Sequence, residues 1–464
     1  MTTEQQLPEG WEYAPFNMFF NVVSISDKKI SQKEYLDNGK YPVIDQGNLF
    51  IGGYSNDESL ILKISSPVIV FGDHTKCFKY VSFPFVAGAD GIKVLEPKNG
   101  IYPKYAYYYC LSIDLTDRGY SRHFAFLKKC QFLIVPIETQ QAIVNKIESL
   151  FDEIDEGIGR LKTAAQQIQQ YRQSLLKNAF NGELTKEWRS KHADTLPSEN
   201  ELLAQIQTTR EQHHAQQLAD WQTAVSQWEQ NGKEGKKPSK PSLLSNIELI
   251  EKDCTIPSNW LIFSAESLCD FITKGTTPSK SELFPNKGDI PFLKVYNLTK
   301  NGKLDFTIEP TFVSKETHNN FLNRSKVYPD DVLMNIVGPP LGKVSIVPND
   351  YEEWNINQAI AIYRSKFLNS KFLANYLLAE KTIKFMYSQA KTTAGQHNLT
   401  LEICRSLPIP YCSMAEQTQI VAILESKLTA CDQLADELAK QLKKAELLKQ
   451  AVLKAAFSGS LLDK

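Results

Sequence analysis

QQAIVNKIE, at residues Gln140–Glu148, returns 277 residues later as QTQIVAILE at Gln417–Glu425. A second phrase, LKNAFNGEL at 176–184, returns at the same offset as LKAAFSGSL at 453–461. Each copy closes a segment that opens on a similar phrase, LPEGW and later IPSNW. The period is far longer than that of solenoid repeats, which recur every few tens of residues. The sequence therefore predicts two halves, each a globular domain followed by one copy of the repeated segment.

Both repeated segments carry apolar residues at the spacing of a long helix. The apolar positions step by fours and threes, and no proline interrupts either run. Such sustained spacing is typical of a coiled-coil seam. Because neither stripe can be buried alone, we expect the two helices to pair; the alternative is that each packs on its own domain. The predicted seam residues are Ile143, Ile147, Ile154, Ile158, Leu161, Ile168, Leu175, Ile420, Leu424, Leu428, Leu438, Leu442 and Val452.

Size and composition are those of an ordinary globular protein. The 464 residues allow two to four domains, and 42% of them are hydrophobic and 23% charged. The net charge of −1 counts against a free-standing nucleic-acid binder, which usually has a basic excess, although local patches matter more than the total. The eight scattered cysteines, the polar N-terminus and the lack of a long apolar run predict a cytoplasmic protein with reduced thiols.

The segments before each repeated helix predict sheet-rich domains. Short β-branched and aromatic runs bounded by Gly, Pro, Asn and Asp are typical of strands. Apart from one predicted short helix late in each, the two domains share little sequence, so we expect a repeated frame with different contents. The unmatched middle segment predicts a Gln- and Glu-rich helix over 199–230 and a basic linker. The predicted boundaries are 1–136 and 256–410 for the domains, 137–184 and 411–464 for the long helices, and 185–255 for the insertion.

Motifs of catalysis are missing from the sequence. GPPLGK at 338–343 resembles a phosphate loop, but it is one residue short and is followed by Val344 where a P-loop needs Ser or Thr. There is no G-x-G-x-x-G, G-x-S-x-G or H-E-x-x-H. His213 and His214 are adjacent in sequence and so face different sides of a helix, which argues against a metal site. We therefore expect a non-catalytic chain that binds no cofactor or metal itself.

Polar, basic and aromatic residues gather instead in positions typical of loops. Arg, Lys, Asn and Gln can recognise base edges, and Ser, Thr and Gly can hold phosphates. Each loop alone fits ordinary turn chemistry equally well, but together on a duplicated frame they make DNA binding a competitive interpretation. The candidates in the first domain are Gln46, His74, Thr75, Lys76, Lys79, Arg118, Tyr120, Arg122 and His123. Those in the second domain are Lys274, Thr276, Thr277, Lys294, Asn297, Asn335, Lys343, Asn357, Gln358, Thr392, Thr393, Gln396 and His397.

The whole chain resembles the specificity subunit of Type I restriction–modification systems. The helix lead-ins LIVPI and LPIP, followed by Gln140 and Gln417, and the helix endings AFNGEL and AFSGSL carry the resemblance. IPFLK at 290–294, DVLM at 331–334, NINQA at 355–359 and NLTLE at 398–402 are similar to phrases of the family's target-recognition domains. PVIVFGD at 67–73 and GADG at 88–91 resemble another subtype of that domain. The insertion lies outside the minimal family pattern.

The resemblance implies an α+β chain. Two mixed α/β target-recognition domains would be joined by two long antiparallel coiled-coil helices in a pseudo-two-fold circular arrangement. Each domain would recognise half of an asymmetric bipartite site in double-stranded DNA, and the helices would be the spacer. Two modification (methyltransferase) subunits and restriction (translocase/nuclease) subunits would be the other partners, with no membrane, and would hold S-adenosylmethionine, ATP and Mg. The alternative is a coiled-coil structural adaptor without sequence-specific DNA binding.

Overall fold

The chain divides into two compact units that share two long helices. The computed structural model describes residues 10–88, 91–115, 122–235, 237–241, 243, 246–251, 256–393 and 395–461. Unit 1 comprises Met1–Ala165 and Asp436–Lys464, and unit 2 comprises Gln166–Ala435. No helix within those described ranges is long and apolar enough to cross a membrane.

The described part of unit 1 contains two larger sheets and one two-stranded sheet. Its strands are β1 (Glu12–Pro15), β2 (Phe20–Val23), β3 (Lys29–Ile30), β4 (Tyr41–Ile44), β5 (Gly53–Ser55), β6 (Ile61–Leu62), β7 (Val68–Gly72), β8 (Phe78–Val81), β9 (Phe85–Gly88), β10 (Ile92–Pro97) and β11 (Gln131–Ile134). Its helices are α1 (Phe16–Phe19), α2 (Pro103–Ser112), α3 (Phe124–Leu127) and the first part of α4 (Ile137–Phe180). The central strand β7 (VIVFG) is buried throughout, as expected for a strand covered on both faces.

Unit 2 continues with the insertion and the second domain. Its helices are α5 (Lys186–Lys191), α6 (Glu199–Gln230), α7 (Ala265–Leu268), α8 (Lys315–Asn319), α9 (Ser370–Leu378), α10 (Glu380–Gln389), α11 (Leu401–Ser406) and the first part of α12 (Met414–Phe457). Its strands are β12 (Leu261–Ser264), β13 (Phe271–Lys274), β14 (Phe284–Pro285), β15 (Ile290–Leu293), β16 (Thr311–Val313), β17 (Lys326–Val327), β18 (Val332–Asn335), β19 (Val337–Gly338), β20 (Val344–Ile346), β21 (Trp354–Ile356), β22 (Ile360–Arg364), β23 (Lys391–Thr393), β24 (Gln396–Asn398) and β25 (Pro408–Tyr411).

The two domains repeat one strand topology. The antiparallel sheet β2-β10-β7-β8 of unit 1 has its counterpart in β13-β22-β18-β20 of unit 2. The parallel pair β4–β9 corresponds to β15–β21, and the antiparallel pair β1–β11 corresponds to β12–β25. The repeated frame thus extends to strand order, although the two domains share little sequence, because different side chains can fill the same pleated frame.

The long helices pair in antiparallel fashion inside each unit. In unit 1 the start of α4, with Ile143 and Ile147, packs in one core with Val452 and Phe457 at the end of α12. In unit 2 the end of α4 packs with the start of α12 in the same way. All predicted seam residues are buried or half-buried. The predicted α+β class, with two mixed domains and paired long helices, is thereby confirmed.

The ends of the long helices differ slightly from the predicted boundaries. α4 stops at Phe180 and α12 at Phe457, and each is followed two residues later by a glycine with positive φ, Gly182 at 78° and Gly459 at 86°. Glycine tolerates this left-handed conformation, which closes helices. α12 begins at Met414, three residues after the predicted position, because 408–411 pairs as strand β25.

The insertion forms the predicted helix. α6 begins with a capping box in which the backbone N–H of Ser198 donates to Glu201 Oε2 at 2.8 Å. Leu202 and Ile206 on its first two turns are buried in the core of unit 2. The indole N–H of Trp221 donates to the carbonyl oxygen of Pro238 at 3.1 Å. The linker after α6 therefore folds back along the helix.

Candidate nucleic-acid interface

Parallel strands bring two candidate loops of unit 2 to the same sheet edge. β15 and β21 run parallel with Leu293 opposite Ile356, so Lys294 and Asn357 leave the sheet side by side. The backbone N–H of Asn357 donates to the carbonyl oxygen of Leu293 at 3.0 Å. The ends of parallel strands are a common location for binding loops in mixed sheets.

The neighbouring antiparallel sheet contributes to the same edge. β13 ends at Lys274 opposite Ala361, and β18 ends at Asn335 opposite Ile360. β22 therefore starts where β13 and β18 finish. We call this set of turns, residues 274–277, 294–297, 335–343 and 357–359, the unit 2 loop edge.

The two central turns of the unit 2 loop edge touch each other. A Cβ atom on Gly275 would lie 2.2 Å from the carbonyl oxygen of Asn357, so a glycine is needed there. Thr277 Oγ1 accepts a hydrogen bond from the backbone N–H of Gln358 at 3.4 Å. Thr277 and Gln358 are both exposed. The structure thus brings the TKGTT and NINQA phrases together, although they are distant in sequence.

Arg324 is a member of this cluster that the sequence prediction missed. Its Nε and one terminal nitrogen donate to Thr276 Oγ1 at 3.3 and 3.1 Å, and its side chain is exposed. Arg324 lies in a short 3₁₀ turn, at residues Asn323–Ser325, ahead of β17. A single arginine in such a turn carries no local signal, and only the pairing of β17 with β21 brings it to the edge.

Two predicted base-recognising asparagines of unit 2 are buried. Asn297 and Asn335 have 1% and 0% of their surface exposed. Asn297 Nδ2 donates to two carbonyl oxygens of the 305–308 turn at 3.0 and 2.8 Å. Asn335 Nδ2 donates to two carbonyl oxygens of residues 337–340 at 3.2 and 2.7 Å. Their amides hold the loops and are not accessible to DNA.

Two lysines of the unit 2 loop edge, Lys294 and Lys343, are half-buried, and Lys274 is exposed. Lys294 Nζ lies 5.6 Å from the ring centroid of Tyr296. Lys343 Nζ donates to the carbonyl oxygen of Val295 at 3.3 Å, so part of its hydrogen-bonding capacity is used within the protein.

The last candidates of unit 2 form a hairpin beside this edge. β23 and β24 contain Thr392, Thr393, Gln396 and His397, and β24 pairs with β19, the strand that follows β18. Thr392 Oγ1 lies 3.2 Å from His397 Nδ1. The His397 ring meets the Tyr387 ring edge to face at 4.9 Å. Gln396 is exposed.

Unit 1 has an equivalent edge. β4 and β9 are parallel, with Ile44 opposite Ala87, and β7 ends at Gly72 opposite Ile92. The turns 45–52 and 72–77 therefore meet, and together they form the unit 1 loop edge.

Hydrogen bonds join the two turns of the unit 1 loop edge. Thr75 Oγ1 donates to the carbonyl oxygen of Gln46 at 2.7 Å, and the backbone N–H of His74 donates to Gln46 Oε1 at 3.3 Å. Lys76 follows in the left-handed conformation, with φ of 60°. Gln46, His74, Thr75 and Lys76 are thus gathered in one place.

Lys79 has a structural role that argues against the predicted one. Only 4% of it is exposed. Its Nζ lies 3.4 Å from Asp45 Oδ1 and donates to the carbonyl oxygen of Leu49 at 2.5 Å. The lysine therefore holds the 45–52 turn.

His123, another predicted contact, is also buried, with 1% of its surface exposed. Its Nδ1 lies 3.0 Å from the carbonyl oxygen of Asp73, which also accepts from the His123 backbone N–H at 2.9 Å. Its neighbour Arg122 is exposed. Arg118 and Tyr120 lie outside the described residues.

Metal-binding clusters are missing from the described part of the chain. None of its His, Cys, Asp and Glu residues form a group of three or more that could hold a metal ion. His213 Nδ1 lies 3.0 Å from Asp270 Oδ1. Burial raises the pKa of the Cys110 and Cys404 thiols, so both stay protonated near neutral pH.

Comparisons with known proteins agree with the geometry. Residues 8–162 and 257–444 match the model of the Type I restriction modification DNA specificity domain. The EcoBI specificity subunit of Escherichia coli is 23% identical over 337 residues, covering 70% of this chain but only 57% of that subunit. The EcoKI specificity subunit of E. coli K12 is 22% identical over 487 residues, covering 98% of this chain and 90% of that subunit.

A solved chain has the same fold. It belongs to a structure of complex assembly and conformational transition in the type I R-M system. It aligns with a TM-score of 0.62 at 14% identity and covers 98% of this chain and 99% of its own length. The family model matches both halves of the repeat and well over half of the residues, and the chain therefore belongs to the Type I restriction modification DNA specificity domain family.

Proposed function

We propose that this specificity subunit recognises an asymmetric, bipartite DNA site, with one half-site contacted by each domain. The observation that carries the proposal is that one topology presents equivalent loop edges with unlike side chains. Unit 1 offers Gln46 and Lys76 there, whereas unit 2 offers Gln358 and Arg324. Equivalent positions with different chemistry suit two different half-sites.

The side chains at both edges match the chemistry of the major groove. Gln can bond adenine through two hydrogen bonds, and Arg or Lys can bond guanine N7 and O6. Thr hydroxyls and lysines can hold the phosphates that fix the register. The basic residues are local, which reconciles DNA binding with a net charge of −1.

We further propose that α4 and α12 set the spacing of the half-sites and dock two modification subunits. Each helix has 44 residues, about 66 Å at 1.5 Å per residue, and begins in one unit and ends in the other. The modification subunits would bind S-adenosylmethionine and methylate a flipped adenine, and restriction subunits would use ATP and Mg in the cytoplasm. This chain would contribute recognition and no active site.

The test begins with the target. Sequencing methylated adenines in a genome that carries the system gives the site. The full-length chain with its modification subunits is then titrated against duplexes with single base-pair changes. Changes inside either half-site should cost about 1–3 kcal/mol each, and changes between them should cost little. Affinity indifferent to sequence would favour the structural adaptor instead, and methyl transfer by this chain alone would contradict a non-catalytic role.

Arg324→Ala tests the unit 2 loop edge. Because Arg324 is exposed and oriented by Thr276, its loss should cost about 1–3 kcal/mol and relax specificity in one half-site only. Arg405→Ala is a matched control, since Arg405 is half-exposed in the same unit but contacts Ile272 at the opposite end of β13. Equal effects of both variants, or equal losses in both half-sites, would contradict the assignment.

A further inference from the structure

An exposed leucine stands at the unit 1 loop edge, among polar candidates. Leu49 has 74% of its surface exposed, and the adjacent Phe50 has 45%. Leu49 follows Gln46 by three residues in the turn after β4. A solvated leucine is common on protein surfaces, so exposure alone carries no meaning.

What distinguishes Leu49 is how firmly its turn is held. Lys79 Nζ donates to the carbonyl oxygen of Leu49 itself at 2.5 Å, and the backbone N–H of Gly47 donates to Asp45 Oδ1 at 2.9 Å. The same lysine also pairs with Asp45. A nearly buried lysine is thus committed to fixing this backbone.

The far side of the turn is fixed as well. The Phe50 ring meets the Phe83 ring at 6.1 Å in an edge-to-face arrangement, and Gly52 N–H donates to the carbonyl oxygen of Val43 at 2.9 Å. The turn therefore presents an apolar side chain from an ordered backbone, and a ligand that contacts Leu49 has little ordering entropy to overcome.

Major-groove chemistry identifies the matching group. The edges of A, G and C present hydrogen-bond donors and acceptors there, whereas thymine adds a C5 methyl group. The side chain of Leu49 can form no hydrogen bond, and it lies on the same edge as Gln46 and Thr75. We propose that Leu49 contacts the methyl group of one thymine in the half-site recognised by unit 1. The inference rests on the proposed function of that edge.

Replacing each thymine of the site by deoxyuridine, one at a time, removes only the methyl group. With the full-length chain and its modification subunits, one position in one half-site should lose about fourfold in affinity, the value of one buried methyl group. Leu49→Ala should bind the thymine duplex about fourfold more weakly and should no longer distinguish it from the deoxyuridine duplex.

Two variants separate this contact from a general defect. Leu49→Met keeps an apolar side chain and should retain most of the discrimination between thymine and deoxyuridine. Leu447→Ala removes a leucine of similar exposure, 62%, from α12 and should leave that ratio unchanged. Both variants also report whether the complex assembles normally.

The possible outcomes separate a failure of the Leu49 contact from a failure of the proposed function. Sequence-specific binding without sensitivity to any thymine methyl would overturn the Leu49 contact and leave the proposed function intact. So would Leu49→Ala keeping the wild-type ratio, as expected if Leu49 wedges between stacked bases instead. Binding without any sequence specificity would overturn the proposed function itself.

Discussion

Two buried glutamines account for the repeated phrase with which each long helix begins. Gln140 is fully buried, and its Nε2 donates to the carbonyl oxygens of Val135 and Gly100 at 2.8 and 2.9 Å. Its Oε1 accepts from the backbone N–H of Tyr102, the residue that caps α2, at 2.7 Å. One amide thus ties the long helix to the segment before it and to the short helix of the domain.

Gln417 makes the same three bonds in unit 2. Its Nε2 donates to the carbonyl oxygens of Cys412 and Phe367 at 3.0 and 3.2 Å, and its Oε1 accepts from the N–H of Asn369 at 2.9 Å. Asn369 caps α9 as Tyr102 caps α2. The repetition in sequence is therefore a repetition of one hydrogen-bonded clamp.

Gln140→Ala should destabilise unit 1 by about 3 kcal/mol, because it leaves several buried backbone groups without a partner at a cost of about 1–3 kcal/mol each. Urea unfolding of the full chain, followed by hydrogen exchange in α2, measures the loss. Gln141→Ala, one residue later and exposed, is the matched control and should be neutral within about 0.5 kcal/mol. Similar losses in both variants would refute the clamp.

His318 makes stability depend on pH. Asn355 Nδ2 lies 3.1 Å from His318 Nδ1 and acts as donor, because Asn355 Oδ1 accepts from Ser325 Oγ at 2.9 Å. His318 Nε2 therefore carries the proton and donates to Glu353 Oε2 at 3.1 Å. Burial lowers the pKa of His318 below its ordinary 6.5, and the Glu353 contact only partly offsets this.

The free energy of unfolding should consequently fall as the pH drops below about 6.5. The unfolded His318 then binds a proton that the folded one resists, with a slope of up to about 1.4 kcal/mol per pH unit until the folded pKa is reached. Urea titrations between pH 7.5 and 5 give the slope. His318→Gln should flatten it in this window, and an unchanged slope would show that other groups are responsible.

Ion pairs between the two long helices suit the role of a spacer. In unit 1, Asp155 of α4 pairs with Lys449 of α12 at 2.5 Å. In unit 2, Arg172 pairs with Asp432. The start of α12 is further secured by the fully buried Glu416, which accepts from Trp260 Nε1 at 2.9 Å. These contacts oppose sliding of one helix along the other.

Inserting four residues into both helices, after Asp155 in α4 and before Lys449 in α12, should lengthen the pair by about 6 Å. At about 3.4 Å per base pair, the gap between half-sites should grow by one or two base pairs while the half-sites stay the same. Mapping methylated adenines in cells that carry the variant measures this. An insertion in α4 alone is the control and should disrupt pairing, and an unchanged gap in the double insertion would contradict a spacer role.

The helices were predictable and the loop edges only partly so, for a physical reason. Three-four apolar spacing is a local signal, and it correctly predicts α4, α6 and α12. Sheet edges depend on pairing between distant strands, so Arg324 could not be found from sequence. A polar residue in or next to a strand end can face solvent or hold a nearby loop, and Asn335 and Lys79 do the latter. The pattern of residues is the same in both cases.

At the scale of the whole molecule, both halves repeat an ion pair between a short helix of the domain and the long helix that follows it. Lys104 of α2 pairs with Glu148 of α4 at 2.7 Å, and Lys371 of α9 pairs with Glu425 of α12 at 2.5 Å. Both pairs are partly exposed and contribute little stability by themselves. Together with the glutamine clamps, they give each domain a defined orientation on the helix that follows it.

Replacing residues 10–136 with the corresponding domain of a family member of different specificity should therefore change one half-site only. The replacement domain should carry a lysine at the position of Lys104 so that the contact with Glu148 is preserved. Methylated-adenine mapping should find the second half-site and the gap unchanged. Simultaneous change of both half-sites would mean that recognition is shared between the domains.

Because the end of α12 packs in the core of unit 1, the order in which the chain is synthesised affects folding. Phe457 packs at 4.8 Å against Tyr109 of α2, and the core of unit 1 includes Val452, Leu453 and Ala456 as well. The ribosome makes these residues after unit 2, although the rest of that core is made before it. The domain of unit 1 therefore keeps an apolar face uncovered until unit 2 has been made, whereas the core of unit 2, within the described residues, extends no further along the chain than Cys431. Nascent chains should be most dependent on chaperones during that interval.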